Sequence, residues 1–118
     1  MWTLLQYRNV YDDLCAQCDA RLQAAVDQRL DRLMHQGNLA SRPISAPLKD
    51  GIFELRARAG KVQARLLFFF QPGKRIIFAV STIKKKSKVP EQDIDKAKNI
   101  RDALLAEPEL MDELTKIH

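Results

Sequence analysis

Between Asn9 and Met34 the apolar residues recur at helical spacing. Leu22, Val26, Leu30, Leu33 and Met34 form one stripe, with Arg21, Gln28, Asp31 and Arg32 around it. Asp19 suits the N-cap of this helix, and Gly37-Asn38 suits its stop. The helical stretch breaks between Leu14 and Asp19, which predicts an N-terminal helical hairpin. Ahead of it, residues 2 to 6 read as a short edge strand. From Asn38 to Gly51 periodicity is lost, Pro43 and Pro47 intervene, and the chain reads as a surface linker ending in the turn signal Lys49-Asp50-Gly51.

The period then changes to two. In Ile52–Arg58, Phe53, Leu55 and Ala57 alternate with Glu54, Arg56 and Arg58. After the short loop Ala59-Gly60-Lys61, a second strand over Val62–Phe70 carries Val62, Ala64, Leu66, Phe68 and Phe70 on one face. Its other face, with Gln63, Arg65, Leu67 and Phe69, is polar at one end and apolar at the other. Gln71-Pro72-Gly73-Lys74 places Pro and Gly where a type II turn wants them, and Arg75–Ile83 makes a third strand. Two consecutive hairpins give an antiparallel meander. A last helix opens at Val89-Pro90-Glu91, with Ile94, Ala97, Ile100 or Arg101, and Leu104 toward the sheet. Pro108 interrupts it, leaving Glu109–Lys116 as a short helix or a frayed tail. The order α-α-β-β-β-α predicts an α+β fold.

At 118 residues the chain suits one domain, 1–118, with one core. No apolar run approaches the ~18 residues of a membrane span, and the start is too short for a signal sequence, so a cytoplasmic protein with no membrane partner is expected. Charge is distributed unevenly. Lys49–Lys88 holds eleven Lys and Arg against two Asp and Glu, a net +9 in a chain of +5, so the remainder sums to −4. A basic supersecondary unit of this kind implies a polyanion as partner.

Several chemistries are excluded by their missing motifs: there is no Walker loop, dinucleotide glycine pattern or paired His, and no Ser or Cys nucleophile has a matching His. Cys15 and Cys18 form a lone Cys-x-x-Cys. His35 and His118 do not complete a zinc pattern, and the local pattern is helical, so both cysteines read as small apolar side chains on one helix face.

The candidate chemistry is the face bearing Arg56, Arg58 and Arg65, with the block Lys84-Lys85-Lys86-Ser87-Lys88 at the end of the next strand. Counted from the Gly60 turn, Arg56 and Arg65 fall nearly opposite each other, a like-charge pair that costs stability unless Glu54 or an anion lies between them. Two readings stand: a phosphate clamp, or surface arginines covering Leu67 and Phe69 with their stems. The lysine block precedes a helix N-terminus, where an anion is favoured. Glu54, flanked by arginines, is a better holder of Arg56 or Arg65 than an acceptor of protons. No general base is evident.

Leu48-Lys49-Asp50-Gly51-Ile52-Phe53-Glu54-Leu55-Arg56, then Arg65-Leu66-Leu67-Phe68-Phe69, Ile83-Lys84-Lys85-Lys86 and Val89-Pro90 resemble the phage-derived HigB-like branch of the RelE/ParE toxin superfamily. The resemblance runs from about Tyr11 to Leu105 and is most specific between Leu48 and Pro90. It implies a RelE-like fold and the toxin of a type II toxin–antitoxin pair, acting as a ribosome-dependent mRNA endonuclease without metal or cofactor. The implied reaction is attack of a ribose 2′-OH on the adjacent phosphate, with Arg56, Arg65, Lys84 and Lys85 catalytic. Arg58, Lys61, Lys86 and Lys88 are the implied RNA contacts, and Glu54 orients its neighbours. Lys86 stands where many members carry Thr, and Glu109–His118 offers only His118 for the acid or base that some members place there. The implied partners are mRNA on the ribosome and a helix-turn-helix antitoxin, the toxin being a monomer when free and a hetero-oligomer with antitoxin. The same fold also hosts gyrase poisons, and a non-catalytic phage-derived RNA-binding protein is a third reading. The intact set of Arg56, Arg65 and Lys84 favours RNA.

Overall fold

A computed structural model describes residues 1–84 and 88–117 of the chain, Lys84 by its backbone alone. In chain order the elements are β1 (Thr3–Tyr7), α1 (Val10–Gln17), α2 (Ala20–Gln36), β2 (Ala46–Lys49), β3 (Ile52–Ala59), β4 (Val62–Gln71), β5 (Arg75–Lys84), α3 (Glu91–Ala106) and β6 (Leu114–Lys116). They build a six-stranded sheet in the order β2-β3-β4-β5-β1-β6, an α+β fold. The β3-β4-β5 meander is present as expected, antiparallel throughout.

The alternation in β3 to β5 feeds two cores rather than one. Leu55, Ala57, Ala64, Leu66, Phe68, Ile76 and Phe78 meet α1 and α2 on one side of the sheet. Ile52, Leu67, Phe69, Ile77, Ala79 and Val80 meet Ile94, Ala97 and Leu104 of α3 on the other. The face carrying Arg65 is therefore not an open one. Each fully buried aliphatic side chain of α3 contributes about 1.5–3 kcal/mol, so Leu104→Ala would loosen that layer most. Ile100, not Arg101, continues the α3 stripe.

In α2, Leu22, Val26, Leu30 and Leu33 are buried, and the Asp19 carboxylate accepts from the Leu22 N–H at 2.8 Å. Gly37 ends the helix at φ 56°, with the Trp2 indole where a Cβ would stand. The expected hairpin does not pack as a unit. α1 seats on β5 and α2 on β3 and β4, because each apolar stripe finds more buried surface on the sheet than on the other helix. Across the gap between them, the Tyr11 hydroxyl donates to Asp27 at 2.7 Å and accepts from Gln23 at 3.1 Å. Burial, reinforced by Asp27, pushes the Tyr11 phenol well above its ordinary 10. Cys15 and Cys18 are free thiols packed beside this core, Cys18 as the C-cap of α1.

Three further expectations are corrected. β1 is no edge strand: it lies parallel to β5 on one side and antiparallel to β6 on the other. The tail after Pro108 starts as a short 3-10 helix, Pro108–Glu113, one of the two expected forms, but ends in a strand, β6, since the edge of β1 offers it backbone partners. The presumed linker contains β2, joined to β3 by Asp50-Gly51, both at positive φ. That two-residue turn matches the twist of the strands it joins.

Candidate functional site

Rows of side chains run across the α3 side of β3, β4 and β5 in fixed register. The innermost is Glu54, Leu67 and Val80; the next is Arg56, Arg65 and Thr82; the outermost is Arg58 and Gln63, with the Lys84 backbone paired to Gln63. A bulge at Leu67/Phe68 sets this phase, letting both Ala79 and Val80 join the α3 core. It turns Ser81 the other way, where its Oγ donates to the Val10 carbonyl at 2.8 Å. α3 covers the apolar rows, and its N-terminus comes down beside the polar ones.

The turn at Asp50-Gly51 and the Lys49 before it hold α3 in place along the sheet. Lys49 pairs with Glu91, Lys98 donates to Asp50 at 2.8 Å, and Arg101 donates to the Asp50 carbonyl. Lys98 beside it lowers the Asp50 carboxyl from its ordinary value. These contacts hold the start of α3 against the arginine rows, within the reach of Arg65.

Arg56 and Arg65 are directly opposite, as the turn count anticipates, and Glu54 lies between them. The Arg56 Nη2 donates to Glu54 Oε1 at 3.0 Å, and Arg65 Nε stands 3.5 Å from Glu54 Oε2. Arg65 Nη1 also donates to the Lys88 carbonyl at 2.9 Å, tying β4 to the segment before α3. The two arginines differ in access: the Arg65 side chain is 1% exposed and that of Arg56 34%, while Glu54 is 4% exposed. The reading of the pair as surface arginines does not hold for Arg65. Burial lowers its guanidinium from the usual range and Arg56 adds to this, with the Glu54 carboxylate opposing both. It stays charged at neutral pH, since an arginine starts so far above it.

Arg58 and Lys61 are exposed at the β3–β4 turn, and Lys88 is exposed before α3. Lys84 occupies the β5 position paired with Gln63; Lys85, Lys86 and His118 lie outside the described residues. Gln63 is a contributor that the sequence reading passed over. It is 3% exposed, and its side-chain oxygen has no hydrogen-bond partner among the described residues. A buried acceptor left open in a basic row can take a hydroxyl donor. Among the described residues, no group of three or more His, Cys, Asp or Glu side chains could hold a metal ion, and no helix is long and apolar enough to cross a membrane.

The family model described as Phage derived protein Gp49-like (DUF891) matches residues 14–102. The chain belongs to this family. The matched stretch opens in α1 and closes in α3, so it takes in β2 to β5 and every row of the site, and omits β1 and β6. No curated protein matches the chain. Of the resemblance expected from Leu48 to Pro90, the phage-derived part is shown, as a Gp49-like protein, and the basic meander lies within the matched segment.

Proposed function

We propose that this Gp49-like protein is the toxin of a toxin–antitoxin pair, a RelE-related endonuclease that cuts mRNA on the ribosome. The observation that carries the reading is the row Arg56–Arg65, bridged by Glu54 and set at the foot of α3. It rests also on the resemblance of Leu48 to Pro90 to HigB-like toxins. In this reading Arg56, the accessible member, meets the scissile phosphate with its planar fork. Arg65 is a positioning residue: it anchors Glu54, which aims Arg56, and it holds the Lys88 segment in place.

The reaction adds the ribose O2′ to phosphorus and breaks the bond from phosphorus to O5′. The 2′-hydroxyl proton leaves to a base, and the departing O5′ takes a proton from Lys84 or Lys85. A 2′,3′-cyclic phosphate and a 5′-OH result. Arg56 offsets the additional negative charge of the pentacoordinate intermediate, where a preorganised charge is most effective. A cognate helix-turn-helix antitoxin would hold the toxin inactive in the cell.

A pulse-label of protein and DNA synthesis after induction tests this. Wild type should stop translation first, and Arg56→Gln should stop neither. DNA synthesis failing first would replace this reading with a gyrase poison. RNA binding without any arrest would favour a non-catalytic RNA-binding protein.

A further inference from the structure

On the α2 side of the β3 edge lies a hollow of about 610 Å³ that the arginine rows do not explain. Arg29 and Arg32 of α2, Arg42 of the following loop and Arg58 of β3 line it, and no carboxylate does. None of the four takes part in an ion pair among the described residues. Arg29 and Arg32 are three apart on one helix, where like charges repel. The nearby carboxylates Asp27 and Asp31 line an adjoining hollow that shares Gln28 and Arg32 with this one. Four guanidinium groups around one concavity with no carboxylate in its lining raise its potential beyond that of a solvated face.

The hollow is continuous with the site. Arg42 and Pro43 line both it and a second depression of about 260 Å³ whose remaining lining includes Glu54 and Arg56. β2 pairs with β3 only as far as Glu54, so from Leu55 onward the β3 edge has no strand over it, and Arg58 lies on this open edge. A charged path therefore runs from Arg56 around the open edge of β3 to α2.

We propose that this path carries the phosphodiester backbone of the bound RNA strand away from the Arg56 site, a step that rests on the RNA-directed reading above. The chemistry favours RNA over an acidic protein segment. A docked helix or strand would need an apolar strip, and the apolar lining here is limited to Ala25, Pro43 and Ile44. Gln28, Gln36 and Ser41 supply neutral hydrogen-bonding groups suited to ribose and phosphate oxygens. No aromatic side chain lines the hollow, so bases are not stacked there and the contact is indifferent to sequence.

The test is fluorescence anisotropy of the full chain with labelled single-stranded oligoribonucleotides of two unrelated sequences, across a salt series. The double variant Arg29→Gln/Arg32→Gln should weaken both sequences equally, and lower the salt slope by ~1.4, about 0.7 per lost phosphate contact on a single strand. Arg21→Gln, an exposed arginine of α2 outside the hollow, should change neither. Circular dichroism checks that each variant is folded, and Arg42→Gln gives a second route without touching the helix. An unchanged slope in both groove variants, with Arg56→Gln still weakening binding, overturns the groove and spares the RNA reading. No binding by wild type overturns both. Loss of poly-glutamate binding with RNA binding intact would give the groove to an acidic protein instead.

Discussion

Glu54→Gln removes the negative charge held between two arginines while keeping the side chain's shape. Arg65 and Glu54 are both almost wholly buried, at 1% and 4% exposure, so water cannot replace the lost partner for Arg65. Breaking a buried ion pair by removing one side costs about 3–5 kcal/mol. Arg56 is a third exposed and its share is screened, and the new amide oxygen still accepts one hydrogen bond, which points to the lower end, ~3 kcal/mol. In an Arg65→Met background the buried cation is gone, and the same substitution should cost only ~1 kcal/mol, as for a pair whose cation is a third exposed. The coupling between the two sites is thus ~2 kcal/mol, read from urea denaturation of the four proteins at unchanged slope. In thermal melts Glu54→Gln alone should lower Tm by roughly 10 °C for a chain of this size. Additivity within ~0.5 kcal/mol would refute the bridge as the organising contact of the site.

Two other perturbations probe the frame that holds it. Tyr11 has its phenol pushed up by burial, so its stabilising effect is complete below the ordinary value of 10 and is lost as pH rises through the folded value. Tyr11→Phe should therefore flatten the alkaline limb of a stability–pH curve above pH ~10, and cost ~1–2 kcal/mol at neutral pH for the lost bond to Asp27; an alkaline limb identical to wild type would contradict the burial argument. Gly37→Ala places a Cβ on the Trp2 indole at a φ of 56°, and should destabilise by about 2–5 kcal/mol, from backbone strain and overpacking together. Quenching or shift of Trp2 fluorescence would report the displacement, and a variant as stable as wild type would show that Trp2 is free to move.

The strand meander and the α2 stripe were legible because their periods differ sharply: two over Ile52–Ile83, and close to 3.6 over Leu22–Leu33. The same alternation misled about Arg65. A period of two separates the faces of a strand, but it does not say whether the second face is covered, and α3 makes it a second core. Arg56 and Arg65 were placed opposite each other by counting from one turn, whereas their unequal exposure depends on where α3 starts. Its place is set by contacts from Lys49 to Glu91 at the helix start and from Asp50 to Lys98 and Arg101 further along it, across 42, 48 and 51 residues. β2 had a readable signal, since Asp-Gly between short apolar segments is the strongest hairpin cue; the prolines around it hid the strand. β6 had no readable signal, because it is short and is a strand only through its pairing with β1. β1 was readable as a strand over residues 2 to 6 but not as an interior one, since its partners β5 and β6 lie far along the chain. The arginine hollow was invisible for the same reason, its four members coming from α2, a loop and β3.

The central claim is that Arg56, aimed by Glu54, acts on a phosphate of ribosome-bound mRNA. Its most direct test is a reconstituted translation reaction with purified protein, followed by mapping of the mRNA ends. Wild type should leave 5′-OH ends paired with 2′,3′-cyclic phosphates inside the translated region, and folded Arg56→Gln should leave the message whole. Intact mRNA with wild type, or the same cuts with Arg56→Gln, would contradict the account.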